Sequence, residues 1–497
     1  MSHSQPDTIS AALARGRLGI PSVVFFVIAA AAPLTVVAGG ATTGYAVTGV
    51  TGIPVSYLVV AAVLALFAVG YVAMSRRIVN AGAFYTYVTR GLGRPAGVAA
   101  AAVALLAYNA MQIGLYGGFG AVLAQFLNDR YGWDVAWWAY ALAAWAFVAV
   151  LGVLRIDLNG KVLAVMLIAE CAVVVVFDAV MLAHPADGDV TLDTLAPSHV
   201  FAAGIGAALV TAITGFVGFE GTVVFSEETK DPRRTIARAT YIAVAVTGLL
   251  YGLSAWAMSV ATGPDRIVDA ARTDGTDLIF TLVSPHLGAS IVTVGQVLFI
   301  TSLFAALLSF HHTVARYLFA LGRERVIPGA FGRTSRRTGA PKFASMAQSG
   351  LAVAALISYA AANADPIVHL FFWITVTGGL GVLALMTVTS ASVVGYFARI
   401  AHGEGPWRST IAPLLATLAL GAILTVTLGE FDTLLGVEAH SPLRWAFPTA
   451  YAAAALLGAA WALTLRATNP PVYAAIGLGA DSLSLPLRNP NAVRQPA

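Results

Sequence analysis

The apolar positions of this chain fall into long uninterrupted runs, unlike the alternating or one-sided patterns of a soluble fold. Between Arg17 and Arg76 there is no charged side chain. A helix that crosses a bilayer needs roughly 20 apolar residues, so this stretch has room for two crossings. Further runs lie at about 96–128, 135–154, 161–182, 200–225, 239–263, 287–320, 344–363, 367–398, 409–429 and 445–465. The pattern predicts an all-α integral membrane protein with twelve spans, numbered here in chain order.

Two of the predicted spans are interrupted near their middle. Span 1 carries Pro33 within an alanine-rich run, and proline removes one helical hydrogen-bond donor. Span 6 carries three glycines at a spacing of three, together with the carboxylate of Glu220; the glycines are Gly215, Gly218 and Gly221. Lipid cannot satisfy freed backbone groups, so a broken span has to line a cavity inside the protein. We therefore expect spans 1 and 6 to be broken helices.

The two interruptions stand at matching positions of two five-helix halves, which is the best sequence indication of a transporter's midplane site. N–H groups that open the second half of span 1 would favour a carboxylate, and freed carbonyls would favour an ammonium group. The alternative is that the glycines only permit close helix packing. The predicted substrate-binding residues are Ala32, Pro33, Leu34, Thr35, Gly39, Thr214, Gly215, Phe216, Gly218 and Phe219.

Composition excludes several classes of protein. Only 10% of the 497 residues are charged and 58% are hydrophobic, whereas soluble domains carry about 25% charged residues. A disordered chain, a nucleic-acid binder and a soluble enzyme are therefore excluded. Cys171 is the single cysteine, no Cys/His cluster indicates a metal site, and no P-loop is present. We expect no enzymatic activity, no cofactor and no metal.

The distribution of basic residues predicts the topology. With the N-terminus inside, the outside loops hold only four of the 28 Lys and Arg residues, namely Arg130, Arg266, Arg272 and Arg444. Basic loops resist translocation, so both termini are expected in the cytoplasm and the protein in the cytoplasmic membrane. Span 1 is too long for a cleaved signal and is expected to be retained. We divide the chain into a tail at 1–17, a polytopic domain at 18–465 and a tail at 466–497.

Ionisable residues within the spans are candidate functional groups, because an acid at bilayer depth costs about 2.5–3.5 kcal/mol. Glu220 is a candidate for gating, with capping of the following half-helix as the alternative. Glu170 in span 5 is a candidate proton carrier, with a buried hydrogen bond between helices as the alternative. We expect Asp178 to contact water near the outer end of span 5. His311 and His312 in span 8 are expected to bond neighbouring helices, with a proton relay as the alternative.

Three motifs resemble segments of the amino acid–polyamine–organocation superfamily of permeases. They are the broken span 6 with the Glu-Glu-Thr-Lys-Asp-Pro-Arg loop after it, the loop after span 8, and the Asn-Ala-Gly-Ala-Phe loop after span 2; they stand at 215–236, 315–341 and 80–93. Their order and spacing extend the resemblance over about 18–465. The resemblance implies a five-plus-five inverted repeat, with repeat one at about 18–182, repeat two at about 200–398 and accessory helices at about 409–465. It also implies alternating access and matches Glu220 to a family acid implicated in gating.

The resulting hypothesis is a secondary transporter of amino acids or related amines, with H⁺ as the preferred coupling ion. Span 1 lacks the Gly-Ser-Gly or Gly-Thr-Gly segment common in the family's amino acid importers, which leaves the substrate open. A polyamine or organocation transporter, an amino acid exchanger and a non-transporting nutrient sensor remain alternatives. The expected partners are a small-molecule substrate and membrane lipid, with no nucleic acid; the oligomeric state stays open.

Overall fold

A computed structural model describes residues 9–10, 18–154, 156–335, 338–400 and 403–484. Within them, long helices stand at all twelve predicted positions. Ten are long and apolar enough to cross a membrane, span 4 is a shorter apolar helix, and span 5 completes the set. The spans are Ile20–Thr48, Ile53–Ser75, Arg94–Tyr131, Trp137–Gly152, Ile156–Ala183, Ile205–Val224, Pro232–Thr262, Ala289–Arg323, Lys342–Ala361, Pro366–Phe397, Trp407–Gly429 and Leu443–Thr468. The predicted all-α membrane class is confirmed.

Short elements connect the spans. The short α-helices are Ala83–Leu92, Ile267–Asp274, Leu278–Val283, Phe431–Leu435 and Pro470–Ala475, and the 3₁₀ turns are Asp193–Leu195, Pro197–Phe201, Ser226–Glu228, Gly275–Asp277 and Gly479–Ser484. Two two-residue strands, Ile9–Ser10 and Thr334–Ser335, pair antiparallel. Most of the predicted tail at 1–17 and the end of the tail at 466–497 lie outside the described residues. So do seven basic residues of the topology prediction: Arg15, Arg17, Arg155, Arg336, Arg337, Arg488 and Arg494.

Local signals explain where the spans begin and end. Proline stands in the first turn of several spans, where its missing N–H has no helical partner to lose, as at Pro54 in span 2. The Asp231 and Asp365 carboxylates accept backbone N–H bonds at the starts of spans 7 and 10. Spans 1 and 3 end at Gly49 and Gly132, both with a φ of 69°, where a left-handed residue terminates a helix.

Burial places span 6 at the centre of the bundle. In its most apolar window 94% of the residues are buried inside the protein, against 33% for span 11 and 17% for span 12. Spans 11 and 12 therefore lie at the periphery, with much of their surface left for lipid. Span 1 packs against spans 5, 7 and 8, and span 6 packs against spans 2, 10 and 11, so both broken spans are enclosed by protein.

The three family-like motifs meet at one end of the bundle. Arg316 in span 8 pairs with Glu228 in the loop after span 6, with Nε and Oε1 2.7 Å apart. Arg323 pairs with Glu227 at 2.7 Å, and Glu227 also accepts the backbone N–H of Ala81 at 3.0 Å. Motifs that lie far apart in sequence thus form one network that closes this end.

Arg316→Gln is expected to destabilise the fold by about 3–5 kcal/mol, because it leaves the carboxylate of Glu228 buried without its cation. Both side chains are at most 3% exposed. Thermal unfolding of the purified protein in detergent would measure the loss. Arg234→Gln removes a solvent-exposed pair with Asp231 and is the control, with no expected change. Equal unfolding temperatures for the two variants would contradict this reading of the network.

The described part of the C-terminal tail packs on the same end. The backbone N–H groups of Gly477 and Gly479 donate to the Glu324 carboxylate at 2.7 and 2.6 Å, and the Tyr85 hydroxyl donates to it as well. Both glycines have positive φ, which lets the chain wrap around this carboxylate. The tail therefore ties the loop after span 8 to the helix Ala83–Leu92.

Candidate functional site

Span 1 is broken beside Pro33, as the sequence predicts. The first α-helix ends at Ala31, and Ala32 adopts a left-handed conformation with a φ of 41°. A π-helix, Thr35–Ala41, then leads into a second α-helix, Thr42–Thr48. Since Pro33 has no N–H, the carbonyl of Ala29 loses its helical partner.

Span 6 is broken at Gly218. Its first helix ends at Phe216, and a short helix, Gly221–Val224, follows the break. Gly218 has a φ of 124°, a conformation that glycine alone adopts readily. A Cβ placed on Gly218 would lie 2.7 Å from the Cβ of Ala30. The two breaks are therefore in direct contact.

A cavity of about 50 Å³ lies beside the two breaks, lined by spans 1, 2, 3, 6, 8 and 10. Four of the predicted substrate-binding residues line it: Ala32, Thr35, Thr214 and Gly215. The other six predicted residues belong to the same two spans but are not among the lining residues of the cavity: Pro33, Leu34, Gly39, Phe216, Gly218 and Phe219. Every residue that lines the cavity is uncharged.

The polar side chains of the cavity wall are four threonines and one tyrosine. The hydroxyls of Thr211, Thr214 and Thr375 donate to backbone carbonyls of their own spans at 2.6–2.8 Å, and Thr35 donates to the Ser302 hydroxyl at 3.0 Å. Tyr57 is fully buried, and its hydroxyl has no partner among the described residues. Among the described residues of the cavity wall, Tyr57 is thus the one whose hydroxyl donates no hydrogen bond to the protein.

Glu170 joins span 5 to the break in span 1. One carboxylate oxygen, Oε1, accepts the backbone N–H of Leu34 at 2.5 Å and the Ser302 hydroxyl at 2.6 Å. Ser302 in turn accepts the hydroxyl of Thr35, which lines the cavity. Glu170 is 4% exposed. Its carboxylate lies against the start of the second half of span 1, where helix N–H groups favour an anion.

Glu220 joins span 6 to spans 2 and 3. Its side chain accepts the Tyr108 hydroxyl at 2.6 Å and the backbone N–H of Gly218 at 2.9 Å. The Tyr71 hydroxyl donates to its carbonyl at 2.8 Å. The carboxylate therefore bonds back across the break and makes no capping bond to the helix that follows.

The three remaining ionisable candidates, Asp178, His311 and His312, are buried. The expectation that Asp178 contacts water is wrong: its side chain is 2% exposed and accepts the Ser254 hydroxyl of span 7 at 2.7 Å. The His311 ring bonds Gln112 and Ser345 and so connects spans 3, 8 and 9. The Nε2 of His312 has no hydrogen-bond partner among the described residues.

Sequence reasoning missed Tyr57, Tyr108 and Ser302. Each is one of several polar residues in a mostly apolar span, and no motif distinguishes it from the others. The one available signal is that a buried tyrosine hydroxyl requires a partner, which would direct attention to the tyrosines of spans 2 and 3.

A bundle of apolar spans with two helices broken side by side around a buried cavity is the architecture of a membrane transporter. Residues 18–433 match the amino acid permease family model, and the chain belongs to that family.

Individual relatives are more distant. A low-affinity putrescine importer of Escherichia coli is 23% identical, covering 88% of this chain and 94% of the importer. A histidine permease of Lactococcus lactis is 26% identical over 47% of this chain and 51% of the permease. The chloroplastic cationic amino acid transporter 7 of Arabidopsis thaliana is 30% identical over 30% of this chain and 25% of that protein.

Proposed function

We propose that this protein is a secondary transporter that moves amino acids or related amines across the cytoplasmic membrane by alternating access, with both termini inside. The observation that carries the proposal is the contact between the breaks of spans 1 and 6 beside a buried cavity. Relatives that carry putrescine, histidine or cationic amino acids support this substrate range.

The mechanism we propose is a rocking of spans 1, 2, 6 and 7 against spans 3, 4, 8 and 9. Several contacts join the halves, and two of those on span 6 and the loop after it would have to open. Glu220 of span 6 holds Tyr108 of span 3, and Glu228 after span 6 holds Arg316 of span 8. Both lie on the side of span 6 that follows its break, and we take this side as cytoplasmic because basic loops favour the cytoplasm. Their separation would open the site inward.

We propose proton coupling through Glu170. Its carboxylate connects Leu34 of span 1 with Ser302 of span 8, so protonation would weaken a bond between the two moving parts. The titratable side chains that interact with it are Tyr251 of span 7 and Cys171 of its own helix. A proton on Glu170 would therefore favour the movement of span 1 away from span 8.

Counterflow in liposomes tests the proposal. The purified protein is reconstituted with an unlabelled compound inside, and entry of the same labelled compound is followed for amino acids, polyamines and monoamines. Saturable counterflow of at least one compound is expected, and protein-free liposomes are the control. Absence of counterflow across the panel, with protein that remains folded, would favour a non-transporting sensor.

Tyr57→Phe is expected to weaken substrate binding about ten- to a hundredfold, because a hydrogen bond between a hydroxyl and a charged group is worth about 1.5–3 kcal/mol. The Tyr57 hydroxyl has no partner within the described part of the chain, so its removal should leave the unfolding temperature unchanged or slightly raised. Tyr45→Phe is the matched control in span 1, since that hydroxyl bonds the carbonyl of Ala255 at 3.1 Å. Tyr45→Phe should lose stability and keep its affinity for substrate. If Tyr57→Phe instead kept its affinity and Tyr45→Phe lost it, Tyr57 would not belong to the site.

A further inference from the structure

We infer that the cavity recognises the ammonium group of an amine that has no carboxylate, so that the substrate is the decarboxylated counterpart of an amino acid. This inference rests on the proposed function and narrows its substrate class. It follows from counting the hydrogen-bond donors and acceptors that the two breaks and the cavity wall present.

The donors at the break in span 1 are already used. A carboxylate ligand would need the N–H groups that open the second half of the span. Pro33 has none, the N–H of Leu34 donates to Glu170, and that of Thr35 donates to Ser302 at 3.3 Å. The N–H of Val36 bonds the carbonyl of Ala32 at 3.0 Å. The anion position is therefore occupied by the protein's own carboxylate.

The break in span 6 repeats this arrangement. The N–H of Gly218 donates to the Glu220 side chain at 2.9 Å. The N–H groups of Val217, Phe219 and Gly221 bond the carbonyls of Thr214, Phe216 and Gly218 at 2.9–3.2 Å. At each break, a buried carboxylate of the protein thus accepts a backbone N–H group that the break leaves free. A substrate carboxylate would find repulsion there instead of hydrogen bonds.

The cavity wall offers acceptors. A threonine hydroxyl has one hydrogen and two lone pairs. All four cavity threonines donate that hydrogen to another group of the protein. Their oxygens are left as acceptors, as is the carbonyl of Ala30, which also lines the cavity and whose helical donor, the N–H of Leu34, is turned to Glu170. An ammonium group carries donors only, so it matches this set.

The charges near the cavity also favour an ammonium group over a carboxylate. The lining residues include no Lys, Arg or His that could neutralise a carboxylate. Glu170 reaches the wall through Ser302 and Thr35, and it attracts a cation across this short chain. Among the described residues that line the cavity, only the Tyr57 hydroxyl has a free donor for a carboxylate, so a buried carboxylate here pays a large desolvation cost, whereas an ammonium group gains acceptors and a nearby acid.

The body of the ligand is expected to be apolar. Met111, Leu115, Phe310 and Val376 line the cavity beside the threonines. These side chains suit a hydrocarbon chain attached to the amine. The inferred ligand is therefore a primary amine with an aliphatic or aromatic body.

Binding to the purified full-length protein tests the inference with matched pairs that differ by the carboxylate alone. The pairs are leucine and isopentylamine, lysine and cadaverine, ornithine and putrescine, and histidine and histamine. The tightest ligand should be an amine, and it should bind at least about tenfold better than its amino acid. An amino acid that binds as well as its amine would overturn the inference and leave the proposed function standing. Failure of all eight compounds in both binding and counterflow would count against both.

Glu170→Ala supplies the second test, because it frees the N–H of Leu34 and the space of the carboxylate. The affinity ratio of amine to amino acid should fall at least about tenfold. Asp178→Asn is the matched control, since it removes a buried carboxylate from the same helix at a site bonded to Ser254. It should leave the ratio unchanged. An unaltered ratio in folded Glu170→Ala protein would contradict the inference.

Discussion

Gly218→Ala is expected to lower uptake by roughly a hundredfold, the loss that a misplacement of about 1 Å at a positioned site can cause. The added Cβ would lie 2.7 Å from the Cβ of Ala30 and 3.2 Å from the Ala31 nitrogen, so it would push apart the two breaks. The φ of 124° adds backbone strain of about 1–3 kcal/mol for any residue other than glycine. Initial uptake rates in liposomes at matched protein content would measure the effect.

Gly221→Ala is the matched control for this substitution. It lies three residues later in the same span, its φ is not positive, and a Cβ there would meet no atom within 4 Å. Its uptake should stay close to that of the unaltered protein. Gel filtration would show whether both variants stay folded. Normal uptake by folded Gly218→Ala protein would show that the break in span 6 is not part of the transport site.

Glu170→Gln is expected to abolish accumulation driven by a proton gradient while leaving counterflow in place. Glutamine can still accept the N–H of Leu34 and the hydroxyl of Ser302, which Glu170 holds at 2.5 and 2.6 Å, but it cannot bind and release a proton. Loss of the steady-state gradient of labelled substrate in acid-outside liposomes, with counterflow retained, would support the coupling role.

Asp178→Asn again serves as the control, because Asp178 is a second buried acid on the same helix with a different partner, Ser254. Its gradient-driven accumulation should match that of the unaltered protein. If Glu170→Gln protein still concentrates substrate against its gradient, or if accumulation requires sodium, another group or another ion provides the coupling.

The spans and their breaks could be predicted because they depend on local sequence. An apolar run of bilayer length has few alternatives to a helix, and Pro33 removes a donor from its helix in any surroundings. Gly218 lies in a run of three evenly spaced glycines, and the chain breaks there in a conformation that favours glycine. Each of these features is decided within a few residues, so the sequence alone was sufficient.

The bonds that give the site its chemistry could not be predicted in the same way. Glu170 and Leu34 stand 136 residues apart, and only the packing of span 5 against span 1 brings them together. Asp178 was expected in water because its depth along the span is visible in sequence, whereas the covering Ser254 of span 7 is not. The Tyr57 hydroxyl likewise lacks a partner among the described residues because the neighbouring spans place no hydrogen-bonding group beside it, and this depends on packing between spans.

The proposed transport site requires a ligand held between the breaks of spans 1 and 6. A cryo-electron microscopy map of the protein with its tightest-binding amine would test this most directly. Ligand density is expected beside Tyr57, between Ala30 and Gly215, with both helices interrupted. Density for the amine elsewhere, or spans 1 and 6 continuous from one side of the membrane to the other, would contradict it.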